Sequence, residues 1–205
     1  MKRRDMLQLS LLGGAGAMVG RPAVAAACEG DGTPLQFMPK TKPDPAPLEN
    51  ELQKYPKCPY CGMDRREHHR TRMLVQYSDD LVDGTCSIHC LAVSLAINID
   101  RGPKGIWGPD YAGTQDPRPL IEVTKLTYLI GANLPHAMTT RSKHSFASTA
   151  ELEKARIASG GTPGDFDAAL EASYVDMAKD VARIRARRAE RMAPRGAAAA
   201  GQKGY

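Results

Sequence analysis

The chain has 205 residues and a formal net charge of +5, a length that suits one domain or two small ones. The positive charge lies at the two ends, with four basic residues against one acid in the first 27 residues and eight against two from Lys179 onward. The body between them is net negative, which excludes a basic nucleic-acid-binding face there. The basic C-terminal end predicts a solvated helical face, with an acidic partner or anionic lipid as the alternatives.

The N-terminus predicts export. A basic head containing Arg3-Arg4 precedes an apolar run over 9–20 and small residues up to Ala27, which is the pattern of a signal peptide over residues 1–27. The adjacent arginines resemble a twin-arginine signal, and a Sec signal that happens to hold them is the alternative. We therefore expect a periplasmic protein. Cleavage after Ala27 would make Cys28 the first residue, where a lipid would anchor the protein to the membrane; otherwise Cys28 is an odd thiol or an extra metal ligand.

The rest of the chain predicts an α+β protein. Residues 28–54 predict a flexible linker, residues 55–161 a metal-binding domain, residues 162–193 a C-terminal helix and residues 194–205 a disordered tail. Within the domain the pattern predicts, in chain order, strands over 73–77 and 81–82, a turn at Asp83-Gly84, a helix over 86–98, a loop over 101–119, strands over 120–124 and 126–130, and a helix from the capping box Ser148–Glu151 to Gly160.

A long helix is predicted from Asp165 to Met192. Apolar residues recur along it with heptad spacing, at Phe166, Leu170, Tyr174, Met177, Val181 and Ile184. This spacing predicts that one face of the helix packs on the body or on a second copy of the chain.

Two cysteine clusters carry the chemistry of the sequence, Cys58-Pro-Tyr-Cys61-Gly-Met63 and Cys86-Ser-Ile-His-Cys90. Cys86 and Cys90 are four residues apart, so a helix would place them on one face of its first turn. The positive end of that helix would lower the pKa of both thiols. Soft sulfur ligands favour Cu(I), zinc or iron–sulfur chemistry.

Three interpretations of these cysteines stay open on ligand chemistry alone. The four thiols, in a knuckle followed by a pair at a helix start, would suit a closed structural zinc site of treble-clef type. Disulfides or a redox pair at Cys58 and Cys61 would suit an oxidising compartment. A subset of the thiols with methionine thioethers would suit an exchangeable Cu(I) site, because zinc rarely uses methionine.

The body resembles the NosL family of periplasmic copper-binding accessory proteins of nitrous oxide reductase assembly. The matching segments, in the family's order, are Cys58–Met63, Tyr77–Asp80, Asp110–Gly113, Leu120–Thr124, Tyr128–Met138, Phe146–Ser148 and Gly160-Gly161. The resemblance implies two small α+β units around a treble-clef-like cysteine metal site. It also implies a Cu(I) chaperone that delivers copper to a periplasmic cuproenzyme or its assembly factors, with Cys61, Met63 and Met138 as matched ligand positions. The pair Cys86 and Cys90 departs from the family pattern and adds a zinc or second copper site.

Other residues are weaker candidates for ligands. His136 lies two residues from Met138, while His89 lies between the second pair of cysteines and is rotated off their face. His68-His69 and His144 are expected at the surface. No Ser–His–Asp order, paired carboxylates or glycine-rich phosphate loop stands out, so the sequence predicts metal binding and transfer rather than catalysis.

Overall fold

The structure, a computed structural model, describes residues 42–192. Its helices are α1 (Glu51–Lys54), α2 (Ile88–Ile97), α3 (Thr149–Ser159) and α4 (Phe166–Met192). Its strands are β1 (Met73–Tyr77), β2 (Val82–Thr85), β3 (Pro103–Pro109), β4 (Leu120–Glu122), β5 (Thr127–Ile130), β6 (Lys143–Phe146) and β7 (Thr162–Gly164), and a 3₁₀ turn covers Val123–Lys125. The predicted signal peptide, Cys28 and the predicted tail lie outside the described residues.

The first sheet is antiparallel, with strand order β2-β1-β3-β4. All five residues of β1 are buried because both faces of this strand are covered. Met73, Val75 and Tyr77 face the main core, while Leu74 packs with Tyr55 and other residues on the opposite face. A central strand with two covered faces loses the apolar–polar alternation of a half-exposed strand.

The second sheet is also antiparallel, with order β6-β5-β7. Tyr128 of β5 joins residues of β1 and α2 in the main core, so one core holds the two sheets together. Leu129, on the other face of β5, packs with Phe146 and with Leu152 of α3. The α+β prediction with two small β units and a long C-terminal helix is thereby confirmed.

The long helix α4 packs against α2, β5 and β7. Its buried side chains are small or polar, namely Ala169, Ala172, Ser173 and Asp180. Of the predicted heptad stripe, Phe166 packs against the main core, Tyr174 is 41% exposed and the other members are half-buried. Small side chains let the helix axis approach its neighbours closely.

Two segments differ from the sequence prediction. Residues 103–109, expected as a loop, form β3, which pairs with both β1 and β4; its two prolines stand at the strand ends, where ladder hydrogen bonds are not lost. Asp83 and Gly84, expected as a turn, lie inside β2, opposite Val75 and Leu74. A Cβ on Gly84 would lie 2.7 Å from the Arg65 guanidinium, so glycine is needed there for Arg65 to pack on the strand.

The residues before Tyr55 are bound to the body from Asp44 onward. Asp44 Oδ2 accepts hydrogen bonds from Tyr55 Oη and Lys54 Nζ. The buried carboxylate of Glu51 forms ion pairs with the buried guanidiniums of Arg65 and Arg72, at 2.8 and 2.7 Å. This triad holds α1 against the segment that follows the first cysteine pair.

Within residues 42–192 no helix combines the length and the apolar character needed to cross a membrane.

Candidate metal centre

The first cysteine pair lies in a tight hairpin. Cys58 N donates to Met63 O at 2.9 Å, and Gly62 N donates to Cys58 O at 2.9 Å. Gly62 has φ 78, a left-handed conformation that glycine adopts without the steric cost of a Cβ. The turn therefore brings both sulfurs of the pair to the same side of the hairpin.

The second pair flanks the start of α2. Cys86 precedes the helix and Cys90 lies in its first turn, and their Sγ atoms are 3.7 Å apart. The Thr71 hydroxyl donates to Cys86 O at 2.8 Å and fixes the backbone at this point. Cys86 and Cys90 are 0% and 1% exposed.

The two pairs meet in one cluster. The four Sγ atoms all lie within 4.8 Å of one another, and those of Cys61 and Cys86 are 3.3 Å apart. A tetrahedral metal with metal–sulfur bonds of about 2.3 Å would place its sulfurs roughly 3.8 Å apart. The thiols are free rather than joined as disulfides. Their spacing therefore fits a single soft metal ion.

Hydrogen bonds among the thiols lower the pKa of some cysteines and raise the pKa of others. Those from Cys61, and then from Cys86 and Cys90, lower the pKa of Cys58. Cys58 and Cys61 in turn raise the pKa of Cys86 and of Cys90, because thiols that donate to a neighbouring thiolate keep their protons. These hydrogen bonds and burial oppose the lowering of the pKa that is expected from the helix end. A metal that binds all four sulfurs must displace protons from that pair.

Two methionines adjoin the cluster. Met63 and Met138, both half-buried, pack against the thiols together with Tyr60 and Cys61. Met138 has φ 64, a left-handed conformation that costs energy for a residue with a side chain. A strained residue of this kind points to a functional role, and here the bend carries the thioether to the thiols.

Among the residues that the structure describes, the cluster is open at Cys61. Cys58, Cys86 and Cys90 are buried, whereas Cys61 is half-buried and lines a pocket of about 550 Å³. Met63 and Met138 line the same pocket. A ligand from outside therefore reaches the metal position past Cys61 and the two thioethers.

The histidines take different positions from one another. His136 and His68 line this pocket, and His136 is exposed. His89 points away from the thiols, and its Nδ1 lies 3.5 Å from the Asp180 Oδ2 of α4. Burial lowers the pKa of His89, an effect that Asp180 opposes.

His69 and His144 lie away from the pocket. His69 is half-buried, and its Nδ1 accepts a hydrogen bond from Arg118 N. His144, expected at the surface, is 1% exposed because it lies in the middle of β6 against Tyr111, with ring centroids 4.3 Å apart. Burial lowers its pKa to about 4.

Sequence reasoning missed the role of three residues that hold the site. Tyr60, inside the first cysteine motif, donates to the carboxylate of Asp83 on β2. Ser94 of α2 donates to the same oxygen at 2.6 Å. The tyrosine between two cysteines was the available signal, but its partner is 23 residues away and becomes evident only in the fold.

Comparison with known proteins adds a family to this geometry. The family model described as NosL matches residues 49–174. The crystal structure of the copper chaperone NosL from Shewanella denitrificans is similar with a TM-score of 0.45 and 20% identity, and the match covers 54% of this chain and 87% of that one. The curated proteins include no match to the chain.

Proposed function

This chain belongs to the NosL family, and on that premise we propose that it is a Cu(I)-binding chaperone. In this proposal it is exported to the periplasm and hands copper to a copper enzyme or to an assembly factor. The expected client is nitrous oxide reductase, the enzyme whose assembly the family serves. Its activity is binding and transfer, without catalysis.

The observation that carries the proposal is the presence of two thioethers at the open side of a thiol cluster. Zinc rarely uses methionine, whereas thiolate with thioether is a favourable donor set for Cu(I). Met63 and Met138 pack on the cluster from two separate segments, and Met138 does so in a strained conformation.

The unequal burial of the four sulfurs suits the transfer of Cu(I) to a partner. Three sulfurs are buried and one is half-buried beside the thioethers, so Cu(I) held by Cys61, Met63 and Met138 is within reach of an incoming ligand. Transfer requires the ligand of the partner to bind before the last donor leaves. A fully enclosed four-thiolate cage would oppose that step.

The proposal is tested by titrating the reduced protein with Cu(I) under anaerobic conditions against a chromophoric Cu(I) chelator. We expect the protein to capture one equivalent, and circular dichroism to show the same helical signal before and after the metal is added. Failure to compete with the chelator would reject the Cu(I) assignment.

A structural zinc site is the second candidate, favoured by the mutual distances of the four thiols and the burial of three of them. Four cysteines commonly hold structural zinc, and such sites couple metal binding to folding. This candidate predicts that a strong chelator unfolds the domain. A helical signal that persists after zinc has been removed would reject it.

A further inference from the structure

One wall of the pocket beside the thiols is basic. The pocket of about 550 Å³ is lined by Cys61, Met63 and Met138 and also by the arginines of α4, namely Arg183, Arg187, Arg188 and Arg191. No aspartate or glutamate is among the described residues that line it. The exposed edge of the thiol cluster therefore shares its pocket with several arginines.

Within the described residues, most of these guanidiniums have no carboxylate at ion-pair distance. Arg183 Nη2 lies 3.5 Å from Asp180 Oδ1. In the part of the chain that the structure describes, Arg187, Arg188 and Arg191 form no ion pair with a carboxylate. The sequence after Met192 has no aspartate or glutamate either. Their charge is therefore available to something outside residues 42–192.

Asp180 holds the basic part of α4 close to the thiol cluster. Asp180 is buried, and its Oδ1 accepts hydrogen bonds from Thr140 N at 2.9 Å and Thr140 Oγ1 at 3.2 Å. Thr140 follows Met138 in the loop that reaches the thiols. α4 is therefore fixed to the loop that contains Met138, one helical turn before the arginines of α4 begin.

The arginines lie in a part of α4 beyond the residues that the family model matches. The family model ends at residue 174, whereas the helix continues to Met192. The basic wall thus lies outside the matched NosL unit. A basic surface in the same pocket as the half-buried Cys61 is suited to the choice of a partner.

We propose that the basic wall docks an acidic polypeptide segment of the protein that exchanges copper with this chain. The inference rests on the proposed function, and it names the chemistry of the partner. Arginine binds carboxylates through paired, charge-assisted hydrogen bonds. A segment with several carboxylates lying along α4 would bring its own copper ligand to Cys61, and the opposite charges would speed the encounter.

A lipid surface suits this wall less well than a protein segment. A helix that lies in a membrane interface needs a broad apolar face opposite its basic one. From Arg183 onward the larger apolar side chains of α4 are Ile184, which is half-buried, and Met192, which is exposed. The remainder are arginine, alanine and a glutamate.

The test uses a fluorescent synthetic peptide that contains two methionines and six glutamates, and a matched peptide with glutamine in place of glutamate. Anisotropy is measured with the reduced protein at 50 and 300 mM salt. We expect the acidic peptide to bind at least tenfold more tightly than the neutral one, and the difference to shrink at high salt.

Two triple variants locate the effect. Arg187→Gln, Arg188→Gln and Arg191→Gln together should weaken the acidic peptide at least tenfold. The matched control, Arg70→Gln, Lys125→Gln and Arg185→Gln, removes the same charge from exposed positions that do not line the pocket and should change binding less than threefold. Equal binding of the two peptides, or equal loss in the two variants, would overturn the inference.

Two further measurements separate the remaining outcomes. The first is sedimentation with vesicles that contain phosphatidylglycerol. If the wild-type protein binds these vesicles, the pocket variant does not, and the acidic peptide fails to bind, the wall binds lipid and the inference is overturned. Cu(I) affinity, measured with the chelator on the same samples, should be unchanged in the pocket variant. A wild-type protein that binds no Cu(I) would reject the proposed function, whereas peptide binding tests the docking surface separately.

Discussion

Tyr60 and Asp83 link the first cysteine pair to the central sheet. The tyrosine hydroxyl donates a hydrogen bond to the carboxylate of Asp83. The same carboxylate accepts a hydrogen bond from the hydroxyl of Ser94 in α2. Burial raises the pKa of Tyr60, so the phenol stays a donor, and burial also raises the pKa of Asp83. One buried carboxylate thus connects the hairpin of Cys58 and Cys61 to the helix that carries Cys90.

Tyr60→Phe should destabilise the protein by about 1 to 2 kcal/mol, because a buried acceptor loses one of its donors. The measurement is urea unfolding of the reduced, metal-free protein. Tyr174→Phe is the control, since Tyr174 is 41% exposed, and it should change the free energy of unfolding by less than about 0.5 kcal/mol. Equal effects of the two substitutions would show that Tyr60 does not support the hairpin through Asp83.

Met63→Ala should weaken Cu(I) binding at least about tenfold, the effect of losing roughly 1.4 kcal/mol of ligand interaction. Zinc affinity should change little, because zinc makes little use of thioethers. Competition with chromophoric chelators measures both metals. Met192→Ala, at an 84% exposed methionine far along α4, is the control and should leave both affinities unchanged. Cu(I) affinity equal to wild type in Met63→Ala would remove Met63 from the ligand set.

Glu51→Gln should destabilise the fold by about 3 to 5 kcal/mol, since it leaves the buried guanidiniums of Arg65 and Arg72 without their carboxylate. Thermal and urea unfolding measure the effect. Glu49→Gln, two residues away and exposed, removes the same charge without touching the pair and is the control. A loss below about 1 kcal/mol for Glu51→Gln would mean that the triad does not hold the N-terminal segment in solution.

His144 should make the stability of the protein depend on pH. Burial lowers its folded-state pKa to about 4, below the 6.5 of an exposed histidine, so the unfolded chain binds more protons between these values. Its contribution is complete above pH 6.5 and is lost as the pH falls toward 4. At pH 5 the loss relative to pH 7.5 is about 2 kcal/mol.

The test of this pH dependence compares urea unfolding of wild type and His144→Gln at pH 5 and pH 7.5. The wild-type protein should lose about 2 kcal/mol more than the variant on going to the lower pH. Because the other titrating groups are common to both proteins, their contributions cancel in the difference. Parallel changes in the two proteins would show that His144 is accessible to protons in the folded state.

Several features of the fold were predictable because they depend on neighbours in the chain. The helix from Thr149 begins after Ser148, whose hydroxyl accepts from Glu151 N, and ends at Gly160 with φ 71. The strand at 73–77 and the long helix to Met192 also appear where the sequence predicts them. In each case the signal is a local pattern of side chains or a capping residue.

Other features became evident only in three dimensions. β3 contains two prolines and two glycines and gives no strand pattern by itself, but it is a strand because β1 and β4 supply its hydrogen-bond partners. His144 is buried because β6 lies against Tyr111 from a distant loop. Both outcomes depend on residues far away in the chain, which a local window does not contain.

The sequence by itself determined the chemistry of this protein, because thiols, thioethers and their spacing are properties of a short segment. The tertiary structure decided how that chemistry is presented. It buried three of the thiols and left Cys61 half-buried. It also brought Met138 and the arginines of α4 to the same opening. Burial and the meeting of distant segments follow from packing a shared core, and that packing is set by contacts between residues that the linear order keeps apart.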